Sequence, residues 1–222
     1  MNSNKQTIPI VQKILSVNDD LASRNKDLLS EKGILAVNIM ASPGSGKTSL
    51  ILRTIESLAG RIKIGVIEGD TAPVTIDADK ISNLNIPVVQ INTGGECHLD
   101  ASMVRKGMDA LDLSSIELLI IENVGNLVCP AAFRLGEHKN IVVSSIPEGD
   151  DKPYKYPNIY RGLDALVLNK VDLLPYVDFN IEYFKAGISA LNPGVEIFEL
   201  SCKTGTGLDH WKEWILQQIE TN

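Results

Sequence analysis

From Ile34 onward, two kinds of hydrophobic pattern alternate along the chain. Short, nearly unbroken apolar runs predict strands over 34–40, 62–68, 86–91, 116–122, 140–146, 163–169 and 195–199. Between them apolar residues recur at helical spacing, as at Leu50, Ile51, Ile55 and Leu58. These stretches predict helices over 47–59, 74–84, 99–112, 179–191 and 206–220. Strands that read as continuous apolar runs are covered on both faces, so the alternation predicts an α/β fold. Its mostly parallel central sheet is flanked by helices. Ahead of the first strand, Ile10 to Lys32 places Val11, Ile14, Leu15, Leu21, Ala22, Leu28 and Leu29 at helical spacing, with a break expected near Asn18-Asp19. The expected division is an N-terminal helical extension over 1–32 and one globular domain over 33–222. Pro147 to Tyr160, rich in Pro, Lys and Tyr, reads as an exposed loop and a candidate contact surface.

At 222 residues and 44% hydrophobic content, the chain can bury a full core in one domain. A formal net charge of −7 without any basic run argues against a sequence-independent nucleic-acid partner. The apolar runs are too short to span a bilayer, and no charged-then-apolar leader opens the chain. A cytoplasmic, reducing setting is therefore expected, with no membrane partner, and the three cysteines read as thiols.

Chemistry enters at Ala41 to Thr48, A-S-P-G-S-G-K-T, which has phosphate-loop spacing with alanine in the usual first glycine position. A strand precedes it and a helix follows, so a helix N-terminus faces the anion. Pro43, Gly44, Ser45, Gly46, Lys47, Thr48 and Ser49 are the expected phosphate-contacting residues. The two glycines let backbone N–H groups close in, Lys47 supplies a point charge, and the Thr48 hydroxyl suits Mg²⁺. Asn169-Lys170-Val171-Asp172 then selects the base. A fixed carboxylate at Asp172 can accept from both guanine N1–H and its exocyclic amine, whereas adenine would face it with an acceptor. Ser201-Cys202-Lys203-Thr204, after another apolar run, is similar to the loop that closes over the base in GTPases. Three segments in this order predict a GTPase that binds GTP and GDP.

Glu122-Asn123-Val124-Gly125 ends an apolar run and has the form of a GTPase switch with glutamate in place of aspartate. Glu122 is expected near Mg²⁺ and Gly125 near the γ-phosphate; the alternative is a strand-end carboxylate facing solvent. Glu68-Gly69-Asp70 closes the second strand similarly, making Asp70 the stronger further Mg²⁺ or water-positioning candidate and Asp77 a weaker one. Lys47, Asp70, Glu122 and Gly125 are thus the expected catalytic group. No glutamine follows Gly125; Asn126 stands there, which predicts slow intrinsic hydrolysis unless a second subunit or partner completes the site.

Cys97-His98 follows the third strand and Cys129 follows the switch segment, so all three are expected at the edge of the sheet that carries the phosphates. Two thiolates and an imidazole suit Zn²⁺ or Ni²⁺, but three ligands cannot close a tetrahedron. The spacing is not that of a zinc finger, and a lone cysteine is commonly a small buried residue, so both readings stay open on spacing alone.

Together, S-P-G-S-G-K-T, E-G-D, G-G-E-C-H-L-D, I-E-N-V-G-N-L-V-C-P, E-G-D-D-K-P-x-K-Y-P and N-K-V-D closely resemble the hydrogenase nickel-incorporation GTPases, the HypB family, from about Val37 to the C-terminus. The urease-maturation GTPases are similar in two of these motifs but carry a Cys-Pro-His metal motif that is missing here. The resemblance implies a P-loop NTPase of the SIMIBI class that forms a homodimer with GTP. It implies nickel delivery to the large subunit of [NiFe] hydrogenase alongside other maturation accessory proteins. It also implies a metal site of Cys97, His98 and Cys129 at the dimer interface. No cysteine precedes Cys97 and the chain holds three histidines, so neither the cysteine-rich N-terminal site nor the histidine-rich storage tract of some members is expected. The rival readings are a non-catalytic metal carrier whose nucleotide only sets oligomeric state, a urease-type nickel-delivery GTPase, and a P-loop kinase with an accidental N-K-V-D.

Overall fold

A computed structural model describes residues 10–71, 78 and 81–222, with side chains from residue 15 onward. Asp77 and most of the helix expected over 74–84 lie outside the described residues. Among the described residues seven strands form: β1 (Leu35–Ala41), β2 (Ile64–Asp70), β3 (Val88–Asn92), β4 (Leu118–Glu122), β5 (Lys139–Ser145), β6 (Ala165–Asn169) and β7 (Glu196–Glu199). They make one sheet in the order β3-β2-β4-β1-β5-β6-β7, with every pairing parallel. The order reverses at β1, whose neighbours are β4 and β5. Such a switch point opens a crevice at the C-terminal strand ends, where ligands bind in sheets of this kind.

Helices cover both faces: α1 (Ile10–Glu31), α2 (Lys47–Leu58), α3 (Ala101–Asp109), α4 (Lys152–Lys155), α5 (Pro157–Tyr160), α6 (Ile181–Leu191) and α7 (Leu208–Glu220). Strand periodicity of two divides the core. Leu35, Val37 and Ile39 face Leu50, Ile51 and Trp211, whereas Ala36 joins Leu29, Leu119 and Ile121 on the other side. Met40, Val142 and Leu168 pack on Phe184 and Ile188 of α6. All residues of β1, β4 and β6 are buried, which explains their mostly apolar sequence, interrupted only by Asn38, Glu122 and Asn169. No helix among the described residues is long and apolar enough to cross a membrane.

Two expectations are corrected. α1 runs unbroken through Asn18-Asp19. The Asn18 side chain reaches away from its own helix, donating to the Arg134 carbonyl at 2.8 Å, and so does not compete for the local backbone. The segment 147–160 is not an exposed loop: it folds into α4 and α5, and Pro153, Ile159 and Tyr160 are buried. The Tyr160 hydroxyl pairs with the Ser144 hydroxyl at 3.0 Å, satisfying a buried phenol that composition alone would place outside.

Candidate nucleotide and metal site

Between β1 and α2 the chain must turn sharply, and it does so through Gly44 (φ +79) and Gly46 (φ +99). A Cβ at Gly46 would meet the Asn169 amide, so glycine is needed there for space as well as conformation. The loop is braced from within and from β6. The Ser45 hydroxyl donates to the Ser42 carbonyl at 2.6 Å, and Asn169 Nδ2 donates to the Ser45 carbonyl at 3.0 Å. Pro43, Gly44 and Ser49 are exposed at its rim, and Lys47 and Thr48 are half-buried.

The residues expected to read the base are locked to one another. Asn169 Oδ1 accepts from the N–H groups of Lys170 (2.8 Å) and Cys202 (3.2 Å), joining the N-K-V-D and S-C-K-T loops. Lys170 sits at φ +62 and its ammonium donates to the Gly44 carbonyl at 2.6 Å. Asp172 accepts from the Ser201 hydroxyl at 2.6 Å, which orients its carboxylate. Lys203, in the S-C-K-T loop, is exposed. Burial pushes the Cys202 thiol up to about 11, so it stays protonated and packs rather than ligates.

A cleft of about 580 Å³ runs from the phosphate loop along the ends of β2 and β4, lined by Lys47, Thr48, Asp70, Glu122, Gly125 and Cys97 among others. Thr48 Oγ1 donates to Glu122 Oε1 at 2.8 Å, so the hydroxyl and the switch carboxylate meet directly. Glu122 is buried, not a solvent-facing strand end. Gly125 lies against Pro43, close enough that a Cβ would come within 3.2 Å of that ring. Glu68 was missed from sequence: it lies in register with Glu122 on the neighbouring strand, is 4% exposed, and lines the same cleft. Residues in register on adjacent parallel strands project the same way, but register is not visible in one sequence. Two buried carboxylates and a hydroxyl form an oxygen-rich set with negative charge, suited to a hard divalent cation.

At the cleft's far side, Cys97, His98 and Cys129 hold ligand atoms that all lie within 4.8 Å of one another. The Cys97 thiol faces the Cys129 sulfur at 2.7 Å and His98 Nδ1 at 3.9 Å. The His98 ring stacks on Phe133, centroids 3.9 Å apart, which sets its plane. The neighbouring Cys97 thiol, then burial, hold the Cys129 thiol above its ordinary range. Gly69, the middle residue of E-G-D, lets this loop settle: a Cβ there would strike Leu99, the residue after His98. His138 and His210 are not part of the group. His138 instead ties α1 to β1, accepting from the Ala36 N–H at Nδ1 and reaching the Ser30 hydroxyl through Nε2, both at 3.0 Å.

Residues 35–199 match the CobW/HypB/UreG nucleotide-binding domain. The hydrogenase maturation factor HypB of Azotobacter vinelandii is 45% identical over 99% of this chain and 72% of its own length. The crystal structure of HypB from Helicobacter pylori in complex with nickel superposes with a TM-score of 0.88 at 37% identity, covering 92% of this chain and 96% of that one. The hydrogenase maturation factor HypB from Archaeoglobus fulgidus gives a TM-score of 0.86 at 42% identity, over 92% and 99%. With a P-loop NTPase fold and this identity along nearly its whole length, the chain belongs to the HypB hydrogenase maturation factors of the CobW/HypB/UreG family.

Proposed function

We propose that this chain is a GTP-hydrolysing metallochaperone that assists nickel insertion into [NiFe] hydrogenase, acting as a homodimer formed on GTP. The observation that carries the reading is that Cys97 opens into the same cleft as Lys47, Thr48 and Glu122. Nucleotide and soft metal would therefore share a wall. Pro43 to Ser49 wrap the phosphates, with Lys47 neutralising charge, while Asp172, steadied by Ser201, reads guanine. Lys170 braces the loop, and Ser201, Cys202 and Lys203 close over the base. Thr48, Asp70 and Glu122, with Glu68 beside them, are the oxygen donors that would hold Mg²⁺. When bound, that ion neutralises charge on the β- and γ-phosphates.

Nickel or zinc is the cargo, taken by Cys97, His98 and Cys129, with the vacant coordination position completed by the second copy. Cys129 lies seven residues beyond Glu122, so a switch movement on hydrolysis shifts a ligand. Cargo release to the hydrogenase large subunit, with the other maturation accessory proteins, follows from that shift in a cytoplasmic setting. Coupling of this kind is reciprocal: metal tightens the GTP dimer as GTP tightens metal. Sedimentation of wild type and Cys129→Ala with a GTP analogue, with and without Ni²⁺ or Zn²⁺, tests it. Equal metal binding by both proteins, or a dimer indifferent to metal, would overturn the assignment.

Asn126 favours a second reading. Its side-chain oxygen is committed to the Val128 N–H at 2.7 Å, inside the Cys129 loop, and so is not positioned to orient water. A non-catalytic carrier, with nucleotide setting only the oligomeric state, would look the same here. Phosphate release measured with and without metal separates the two.

A further inference from the structure

The two segments that carry the candidate ligands are joined through α1 as well as at the thiols. Asn18 donates through Nδ2 to the Arg134 carbonyl at 2.8 Å and accepts at Oδ1 from the Ala101 N–H at 2.9 Å. Asn25 donates through Nδ2 to the Ala101 carbonyl at 2.8 Å and to the Leu135 carbonyl at 2.9 Å. Ala101 follows His98 by three residues, and Arg134 follows Cys129 by five. Each asparagine therefore bridges one ligand segment to the other. Gly136 permits the approach, since a Cβ there would strike Asn25.

These asparagines are unusual choices for a helix that only needs to pack. Asn18, Ala22, Asn25 and Leu29 form one buried stripe, at 6%, 3%, 1% and 0% exposure. Their spacing of four, three and four residues is one face of a helix. An apolar stripe would serve docking better, because asparagine is a poorer helix former and a buried amide demands partners. Both amides find them on the two ligand-bearing segments and nowhere incidental. A third asparagine acts on the same loop: Asn123 Oδ1 accepts from the Leu99 N–H at 3.1 Å, between the switch carboxylate and His98.

We propose that α1 is a clamp for the metal site, with Asn18 and Asn25 as positioning residues. They fix the separation of Ala101 from Arg134 and Leu135, and through it the separation of Cys97-His98 from Cys129. This rests on the reading of those three side chains as metal ligands. Metal–ligand distances tolerate changes of only about 0.2 Å. Groups that orient ligands from outside the coordination sphere therefore matter, at about 10- to 100-fold in affinity. A partner that displaces α1 would loosen the site without touching the nucleotide.

The test uses the full chain with Mg²⁺ and GDP, Ni²⁺ affinity by chelator competition, and the thiolate-to-nickel absorption band. Asn18→Ala with Asn25→Ala is expected to weaken Ni²⁺ about 10- to 100-fold and to alter the band, with GDP affinity unchanged. Should that variant not fold, Asn18→Asp serves. It keeps the acceptor for Ala101 at the N-terminus of α3, where negative charge is favoured, and turns the donor to Arg134 into an oxygen that repels that carbonyl. It is expected to weaken Ni²⁺ in the same direction. Unchanged Ni²⁺ affinity and absorption in Asn18→Asp overturn the clamp, as does a parallel loss of GDP affinity. Cys129→Ala, measured alongside, separates the causes. If it abolishes nickel binding while the asparagine variants do not, only the clamp fails. If it too leaves nickel unaffected, the ligand reading fails and the clamp with it.

Discussion

Asn169 is the most consequential single pin in the nucleotide site, and its removal has a calculable cost. Its side chain, 1% exposed, satisfies the Ser45 carbonyl and the Lys170 and Cys202 N–H groups. Asn169→Ala leaves those three groups without that amide, at about 1–3 kcal/mol for each that stays dry. Lys170 borders solvent and water can reach its N–H, and the Cys202 bond is long at 3.2 Å. A total near 3 kcal/mol is therefore reasonable. For a chain of this size that lowers the melting temperature by about 6–12 °C. The measurement is thermal unfolding by circular dichroism, without nucleotide and then with GDP. At 100 times its dissociation constant GDP stabilises the wild type by about 2.7 kcal/mol. The variant should recover less, because its phosphate loop and base loops are no longer joined and the ligand must order them. An apo variant melting within about 2 °C of wild type would refute the reasoning, since the bonds would then contribute almost nothing.

Lys47→Ala should abolish tight nucleotide binding while the melting temperature of the apo protein holds, because the half-buried lysine is proposed to neutralise phosphate and is not a core residue. Equilibrium binding of fluorescent GDP checks it, and undiminished affinity sinks the phosphate-loop reading. Asp172→Asn should weaken GTP and favour xanthine nucleotides, because the amide can donate to the C2 carbonyl; a variant still selecting GTP as strongly as wild type means that Asp172 does not read the base. His138 is held below its ordinary range mainly by burial, with Lys26 and Lys139 adding repulsion against Glu137. A histidine depressed in the folded state takes up protons more readily when unfolded, so its contribution is intact above about pH 6.5 and lost as pH falls through that value. Urea midpoints between pH 8 and 5 should fall for wild type and fall less for His138→Gln; parallel slopes would remove His138 as the cause.

Much of the fold was legible because its signals are local. Buried parallel strands announce themselves as apolar runs, and Gly44, Gly46 and Lys47 sit in a loop whose geometry allows few other residues. Cys97, His98 and Cys129 could be placed on one edge of the sheet because each follows a strand. What escaped depends on distant partners. Glu68 matters through its register with Glu122, which no single strand reveals. Asn18 looked like a helix breaker because its partners lie 83 and 116 residues away. Tyr160 looked exposed because the hydroxyl that satisfies it belongs to Ser144, on another element.

Those long separations also bear on the order in which the chain assembles. The long-range side-chain bonds that seat α1, the Ser30–His138 pair included, join residues 76 to 116 positions apart. During synthesis α1 emerges ahead of all these partners, and Arg134, Leu135 and His138 follow their α1 contacts by more than 100 residues. Closing loops of that length is entropically unfavourable until the sheet brings their ends together, and parallel sheets form slowly. α1 thus waits on partners made long after it and docks late. Until then the Cys97-His98 and Cys129 segments lack the bonds that join them through α1.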